Sequence, residues 1–278
     1  MRPGSAVWLA LLLTNVVATP SNAGPTWDRG ARSYVETTGA VPAAPAANRP
    51  EWPVMARLSQ PTDRYDHDIL GGIPRWSLLE VETLACGDCR PGRESHTIVL
   101  PDDLVFEDVA PRLWDVTGDG RPEVVLVEAD IRRGARLAVW GFAEPQGDLT
   151  RLAATAFIGA PHRWLAPVGF GDLDGDGRTE IAYVDRPHLV HDLIFVRLDG
   201  DRLREIARAH GFTAHRIGDT TITSATRTCS PGQIEVLLPN ADWSRLYGVQ
   251  LRNGTTQARD LGTMSATALR AATETACD

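Results

Sequence analysis

The stretch Asp115-Val116-Thr117-Gly118-Asp119-Gly120-Arg121-Pro122-Glu123 recurs 57 residues later as Asp172-Leu173-Asp174-Gly175-Asp176-Gly177-Arg178-Thr179-Glu180. Both stretches carry oxygen side chains at positions 1, 3, 5 and 9, and glycine at position 6. Ca²⁺ takes about six to eight hard oxygen ligands, and alternate side chains of a tight loop can converge on one ion. We therefore predict about two Ca²⁺ ions, one in each loop. The predicted ligands are Asp115, Thr117, Asp119, Glu123 and the carbonyl of Arg121 in the first loop, and Asp172, Asp174, Asp176, Glu180 and the carbonyl of Arg178 in the second.

The residues that flank the loops exclude an EF-hand. Position 12 of that motif is a bidentate glutamate, but here it is Leu126 in the first loop and Tyr183 in the second. The β-branched, apolar segments 124–127 and 181–184 follow the loops. We therefore predict strand–loop–strand sites. A count of carboxylates ranks the second loop above the first in calcium affinity, because Thr117 replaces an aspartate at position 3.

A fixed separation of a few tens of residues between similar units is typical of propellers and solenoids. Four candidate strands recur at comparable intervals, and each is followed by a second short segment after a turn. The strands are Leu78–Val81, Leu137–Trp140, Leu193–Val196 and Leu246–Val249. Asp199-Gly200 and Asn253-Gly254 are hairpin signals within this pattern. The sequence thus predicts an all-β protein of about four repeat units.

This part of the chain resembles the FG-GAP/VCBS repeat, the blade of integrin-type β-propellers. The resemblance consists of an apolar strand, the pattern D-x-[DT]-x-D-G-x-x-E and a following β-branched strand. Phe170-Gly171 supplies the Phe-Gly pair of that family. The resemblance is specific over about residues 104–200 and weaker on either side. It implies a β-propeller whose blade turns are held by calcium, and it supplies no active site. Integrin-like propellers have more blades and longer chains, so we expect a compact four-bladed propeller here, with an open or intertwined β assembly as the alternative.

The first 23 residues have the pattern of a secretory signal peptide. Arg2 precedes the apolar run Ala6–Val17, and Ser21-Asn22-Ala23 offers a cleavage site. The run is too short to span a bilayer, so we expect an exported protein, periplasmic or extracellular, without a membrane span in the mature chain. The Ala/Pro-rich segment 24–50 predicts a disordered linker, and residues 51–278 form the predicted propeller domain.

The composition excludes several classes of function. All 28 basic residues are arginine, which rules out a Schiff-base lysine, a P-loop lysine and a Ser–Lys catalytic pair. The formal net charge is −8, and there is no basic stripe, which argues against nucleic acid as a partner.

Four cysteines in an exported chain predict disulfides. Cys86 and Cys89 form a C-x-x-C that we interpret as a structural bridge, with thioredoxin-like chemistry or a zinc site as alternatives. Cys229 would then pair with Cys277.

Histidines are the candidates for acid–base chemistry outside the acidic loops. His162 and His215 lie in matching His-Arg dipeptides, and His67 occupies the comparable place in the first unit. These three are weak catalytic candidates if they line the mouth of a central channel; the alternative is a structural role at blade junctions. The remaining histidines, among them His188, are interpreted as surface or turn residues, and the tryptophans as packing residues or, alternatively, sugar-stacking rings.

Two functions remain open. The first is an exported, calcium-stabilised binding module that recognises a protein or a glycan. The second is a secreted or periplasmic hydrolase or lyase that uses the three histidines.

Overall fold

The computed structural model describes residues 33–36, 49–87, 90–143, 147–230 and 233–277. Within these residues the protein is all-β apart from one short helix, which confirms the predicted class. The strands are β1 Ser33–Glu36, β2 Arg49–Thr62, β3 Arg75–Gly87, β4 Arg90–Val99, β5 Leu104–Phe106, β6 Arg112–Trp114, β7 Glu123–Asp130, β8 Gly134–Phe142, β9 Leu149–Ala154, β10 Leu165–Gly171, β11 Glu180–Asp185, β12 Asp192–Asp199, β13 Arg202–His210, β14 Ala225–Ser230, β15 Gln233–Pro239, β16 Arg245–Arg252 and β17 Thr255–Thr263; the helix α1 is Ala266–Glu274.

The strands form successive antiparallel meanders. One four-stranded unit runs β10–β11–β12–β13, and a separate four-stranded sheet runs β14–β15–β16–β17. Strands β1 to β9 continue the sheet that contains β10 to β13, in the order β1-β2-β3-β5-β7-β8-β9-β13-β12-β11-β10, with β4 paired to β3 and β6 paired to β7. Two strand pairings in this sheet consist of a single residue pair each: Trp76 with Phe106 joins β3 to β5, and Arg202 with Ala154 joins β13 to β9. The hydrogen bonding is therefore mainly within the units, as in a propeller-like fold.

Strand β7 lies between two hydrophobic cores, and every one of its residues is buried. Val125 and Val127 pack into the larger cluster together with residues of β10 to β12, whereas Val124 and Leu126 pack into a second cluster with residues of β2, β3, β5 and β8. A strand that is buried on both faces needs apolar residues at consecutive positions rather than in alternation. This explains the continuous run 124–127, and β11 is buried throughout in the same way.

The two predicted loops lie at the entrances of these buried strands. The first connects β6 to β7, and the second connects β10 to β11, so that Glu123 and Glu180 are the first residues of their strands. Gly120 and Gly177, at position 6 of each loop, have φ of +83° and +84°, in the left-handed region that favours glycine. The predicted strand–loop–strand arrangement is therefore present at both places.

The helix α1 was not predicted from the sequence. Ser265 caps its N-terminus by accepting a hydrogen bond from the backbone N–H of Ala268 at 3.0 Å. The helix packs on Leu237 and Leu246 through the buried Ala272. In the described part of the chain, no helix is long and apolar enough to cross a membrane.

Several predictions fall on parts of the chain that the structure does not describe. The proposed signal peptide, residues 1–23, lies outside the described residues. Of the proposed linker 24–50, the described parts are strand β1, which pairs with β2, and the first residues of β2. Cys89 also lies outside, so the bridge from Cys86 to Cys89 stays a prediction. The predicted bridge from Cys229 to Cys277 is confirmed.

Candidate functional site

Asp115 at position 1 holds the first loop in its turn. Its Oδ1 accepts hydrogen bonds from the backbone N–H groups of Gly118 at 2.8 Å and Asp119 at 3.1 Å, and its Oδ2 accepts one from Gly120 at 2.8 Å. Asp119 in turn accepts a bond from the backbone N–H of Arg121 at 2.9 Å. The polypeptide therefore wraps around the Asp115 carboxylate, and the predicted ligand carbonyl of Arg121 belongs to the same tight turn.

Glu123 closes the first loop from its far end. Its Oε2 accepts from the backbone N–H of Val116 at 2.7 Å and of Thr117 at 3.2 Å, and its Oε1 accepts from the Thr117 hydroxyl at 3.2 Å. The glutamate is buried, and this burial raises the pKa of its carboxyl to about 7. A bound cation would favour the ionised carboxylate and so offset the cost of its burial.

The second loop repeats this scheme. Asp172 Oδ1 accepts from the backbone N–H of Gly175 at 2.6 Å, and its Oδ2 accepts from Gly177 at 2.8 Å. Glu180 Oε2 accepts from the backbone N–H of Leu173 at 2.9 Å, and the N–H of Arg178 donates to Asp176 at 2.9 Å. The roles of Asp115, Asp119 and Glu123 therefore recur in Asp172, Asp176 and Glu180 at the entrance of β11.

The carboxylates converge more closely in the second loop. Asp172, Asp174 and Asp176 each offer an oxygen, and these atoms lie within 4.8 Å of one another. Among the described residues one other group is this close, and it contains Cys229 and Cys277, whose sulfurs form the disulfide. The donor set of hard oxygens in the second loop fits Ca²⁺ in its chemistry.

A basic residue that sequence reasoning missed lies against these carboxylates. Arg197, on β12, places Nη2 3.0 Å from Asp174 Oδ2 and Nη1 3.0 Å from Asp176 Oδ2, and its Nε donates to Glu180 Oε1 at 2.6 Å. Although burial opposes the charge, the bond to Glu180 and the neighbouring carboxylates raise the pKa of Arg197. Burial also raises the pKa of Glu180 against the pull of Arg197. One signal was available: Arg197 interrupts the apolar run of β12.

Two of the three histidines predicted as weak catalytic candidates, His67 and His162, line one small cleft, and the third, His215, contacts the cleft-lining His188. The rings of His67 and His162 are 5.4 Å apart, and the backbone N–H of His162 donates to the hydroxyl of Tyr65 at 2.5 Å. His67 Nδ1 lies 2.8 Å from Oε1 of Glu107, which is fully buried, and His162 Nε2 lies 2.8 Å from Asp66 Oδ1. Burial raises the pKa of Glu107 against the pull of His67.

His215 contacts the cleft-lining His188, which the sequence analysis placed on the surface or in a turn. His188 Nε2 lies 3.0 Å from His215 Nδ1, and His215 Nε2 lies 3.0 Å from the carbonyl oxygen of Asp219. Burial, together with His215, lowers the pKa of His188 to about 4, and burial also lowers that of His215. His188 lies in the turn after β11, which agrees with one of the two predicted positions, and it is half-buried against Trp164 and His215.

The cleft itself is small, with a cavity volume of about 20 Å³. Its lining is basic and aromatic: His67, His162, Arg163, Trp164, Arg186, His188 and Leu189. Small-molecule sites usually have volumes of about 300–1,000 Å³, so this cleft suits a water-sized polar group rather than a large ligand. Trp164 is buried, and its indole N–H donates to the carbonyl of Glu107 at 2.8 Å, which makes it a packing residue.

Comparison with known proteins identifies the repeat. A sequence profile described as the FG-GAP-like repeat matches residues 115–183, the segment that contains both loops. No curated protein sequence matches the chain. A solved structure of a protein from Lactobacillus plantarum aligns with a TM-score of 0.38 and 11% identity, and the alignment covers 68% of this chain and 54% of that one. The chain thus spans about half the length of that protein. Residues 115–183 carry an FG-GAP-like repeat, as their loops and strands led us to expect.

Proposed function

We propose that this protein is an exported binding module, a β-propeller of about four blades whose turns are held by structural calcium, and that it recognises a protein or a glycan. One observation carries the proposal. Two loops of the same carboxylate scheme lie at the entrances of the buried strands β7 and β11, within a segment that matches an FG-GAP-like repeat. The antiparallel units β10–β13 and β14–β17 would be two of the blades, and the amino-terminal signal pattern supports export.

Calcium would have a structural role in this proposal. The first ion would be held by Asp115, Thr117, Asp119, Glu123 and the carbonyl of Arg121, and the second by Asp172, Asp174, Asp176, Glu180 and the carbonyl of Arg178. The bound ion supplies positive charge that offsets the repulsion between the crowded carboxylates of each loop. Asp115 and Asp172 would orient the turn through the hydrogen bonds that they accept from backbone N–H groups of the loops. Because Glu123 and Glu180 begin buried strands, ordering the loop also anchors the core.

The test is thermal unfolding, followed by circular dichroism, in excess calcium and in chelator. A ligand that binds only the folded state adds about 2.7 kcal/mol at a hundredfold excess over Kd. For a domain of this size about 1 kcal/mol moves the midpoint by about 2–4 °C, so chelation should lower Tm by about 5–10 °C for each filled site. Asp115→Asn should reduce that shift, whereas the matched control Asp201→Asn, an exposed carboxylate outside the loops, should leave it unchanged. Equal midpoints in calcium and chelator for the wild-type protein would contradict a stabilising role.

A hydrolase or lyase is the second candidate, and the histidine cleft favours it. His67 faces the buried Glu107, and His162 faces Asp66, so two imidazole–carboxylate pairs meet at one cleft. A carboxylate that orients an imidazole is a common arrangement for a general base.

The two candidates differ in how they respond to loss of these histidines. In an enzyme, His67→Gln and His162→Gln should abolish turnover of small chromogenic esters, phosphate esters or glycosides without changing the response of Tm to calcium. His210→Gln is the matched control, because His210 pairs with Asp192 at an exposed position on β13. If the wild-type protein turns over none of these substrates, and binds a glycan or protein partner equally well with and without the two histidines, the binding module stands.

A further inference from the structure

The two loops differ in the residue that lies across from position 9. In the second unit, Glu180 on β11 pairs with Arg197 on β12. In the first unit Val124 pairs with Trp140, and one step further along the same register places Gly141 across from Glu123. A Cβ atom added to Gly141 would lie 3.0 Å from Cγ of Glu123, which confirms that the two residues are neighbours. An arginine in one repeat is therefore replaced by a residue without a side chain in the other.

The guanidinium group of Arg197 neutralises the second loop from within. It contacts three of the four carboxylates, Asp174, Asp176 and Glu180, and its side chain is 15% exposed. The fourth carboxylate, Asp172, instead accepts hydrogen bonds from backbone N–H groups of the loop. These contacts use oxygens that a cation would need, because Asp174 Oδ2, Asp176 Oδ2 and Glu180 Oε1 all face Arg197.

The first loop lacks an equivalent group in the part of the chain that the structure describes. The arginine near its carboxylates is Arg121, which lies 3.6 Å from Asp119 Oδ2 and contacts that one carboxylate at the rim. Beside Gly141 the neighbour is the apolar side chain of Leu152, whose Cδ1 would lie 2.7 Å from an added Cβ. The carboxylates of the first loop therefore have no internal guanidinium to compete with an external cation.

We propose that Arg197 is a tethered counter-ion that competes with Ca²⁺ for the second loop. This inference rests on the proposed calcium role and reverses the order that carboxylate count predicts: the second loop binds calcium more weakly than the first, although it has one more carboxylate. Calcium enters the second loop only when the Arg197 side chain leaves Asp174, Asp176 and Glu180. Without calcium, Arg197 keeps the second loop closed, whereas the first loop depends on the ion.

The test measures each loop separately by calorimetric titration with CaCl₂ of the purified full-length protein. Asp115→Asn disables the first loop and reports on the second, and Asp172→Asn disables the second loop and reports on the first. Neither position contacts Arg197. The test variant is Arg197→Gln, made in the Asp115→Asn background. Its matched control is Arg204→Gln, because Arg204 is the cross-strand partner of Arg197 and pairs with the exposed Asp199, outside the loop.

We expect Arg197→Gln to raise the calcium affinity of the second loop about tenfold or more, because a charge bound within hydrogen-bonding distance is removed. Arg204→Gln should change it less than twofold, since a single exposed charge has a small effect. Arg197→Gln should also lower the melting temperature in chelator, and calcium should restore it. Equal calcium affinities of the second loop with Arg197 and with Gln at that position would overturn the inference. So would a second loop that binds calcium more tightly than the first loop when Arg197 is present.

The same titrations separate this inference from the proposed function. If the first loop binds calcium in Asp172→Asn but Arg197→Gln gains no affinity in the second loop, the inference fails and the calcium role stands. If the first loop binds no calcium while Arg197→Gln creates a site in the second loop, the counter-ion role of Arg197 stands and the calcium role of the wild-type protein fails. If neither loop binds calcium in any variant, both are refuted.

Discussion

Replacing Arg227 by methionine should strongly destabilise the carboxy-terminal sheet. Arg227, on β14, forms an ion pair with Glu235 on β15, in which Nε and Nη2 both lie 2.6 Å from Glu235 Oε2. The side chains are 3% and 2% exposed. Nη1 of the same arginine donates to the carbonyl of Ala272 at 3.0 Å and to the hydroxyl of Thr275 at 2.8 Å. One guanidinium therefore joins the sheet to the end of α1.

The magnitude follows from the burial of the pair. Removing one partner of a buried ion pair costs about 3–5 kcal/mol, because the remaining charge has lost both water and its counter-ion. Glu235 would be left with Arg259 as its nearest cation, at 3.8 Å and on a partly exposed side chain, so we expect a value near the middle of that range. The control is Arg245→Met, which removes an exposed, bidentate pair with Asp260 and should cost about 1 kcal/mol or less.

Chemical denaturation at neutral pH provides the measurement. The double variant Arg227→Met/Glu235→Met should recover much of the loss, because it leaves no uncompensated buried charge. Gly248→Ala tests the same pair without changing any charge: the added Cβ would lie 2.4 Å from Cδ of Glu235 and would push the carboxylate away from Arg227. A loss below about 1 kcal/mol for Arg227→Met, equal to that of Arg245→Met, would refute the reasoning.

Two further predictions concern acid and the disulfide. His188 titrates at about 4 when folded and near its ordinary value of about 6.5 when unfolded, so its contribution to stability is complete above pH 6.5 and is lost as the pH falls towards 4. Because His188 is only half-buried, we expect the unfolding free energy to fall by about 1–2 kcal/mol between pH 7 and pH 4.5. His188→Gln should lose less stability over this pH range. An equal loss in both proteins would contradict the prediction. The bond from Cys229 to Cys277 closes a loop with a sequence separation of 48. Its reduction, or the double variant Cys229→Ser/Cys277→Ser, should therefore lower the free energy of unfolding in denaturant by about 2–4 kcal/mol. An unchanged midpoint would show that the tail is held by packing alone.

The sequence predicted those features that depend on neighbouring residues. The two acidic loops, their glycines and the apolar strands behind them lie where their spacing placed them, because a turn and the strand after it depend on local backbone preferences. The hairpin at Asn253-Gly254 has positive φ at both residues, as a two-residue turn requires. The helix α1 was missed because its alanine-rich segment has only 9 residues, and its position depends on packing against β14 and β15.

The histidine cleft shows where sequence reasoning reached only part of the site. The matching dipeptides singled out His162 and His215, and the position of His67 completed the set. Neither Glu107 nor His188 had a local pattern that marked it. Their contacts join residues far apart along the chain, such as Tyr65 and His162, which are 97 residues apart. One sequence without its fold does not contain that proximity.

By itself, the sequence determined the repeat, the all-β class, the two carboxylate loops and the pairing of Cys229 with Cys277. The tertiary structure alone decided the surroundings of those loops: Arg197 lies against the carboxylates of the second, and Gly141 takes its place in the first. The physical reason is strand register. The alternation of side chains along a strand can be read from the order of its residues. The residue that faces a given carboxylate depends instead on how two strands align, and the packing of the whole sheet decides that alignment.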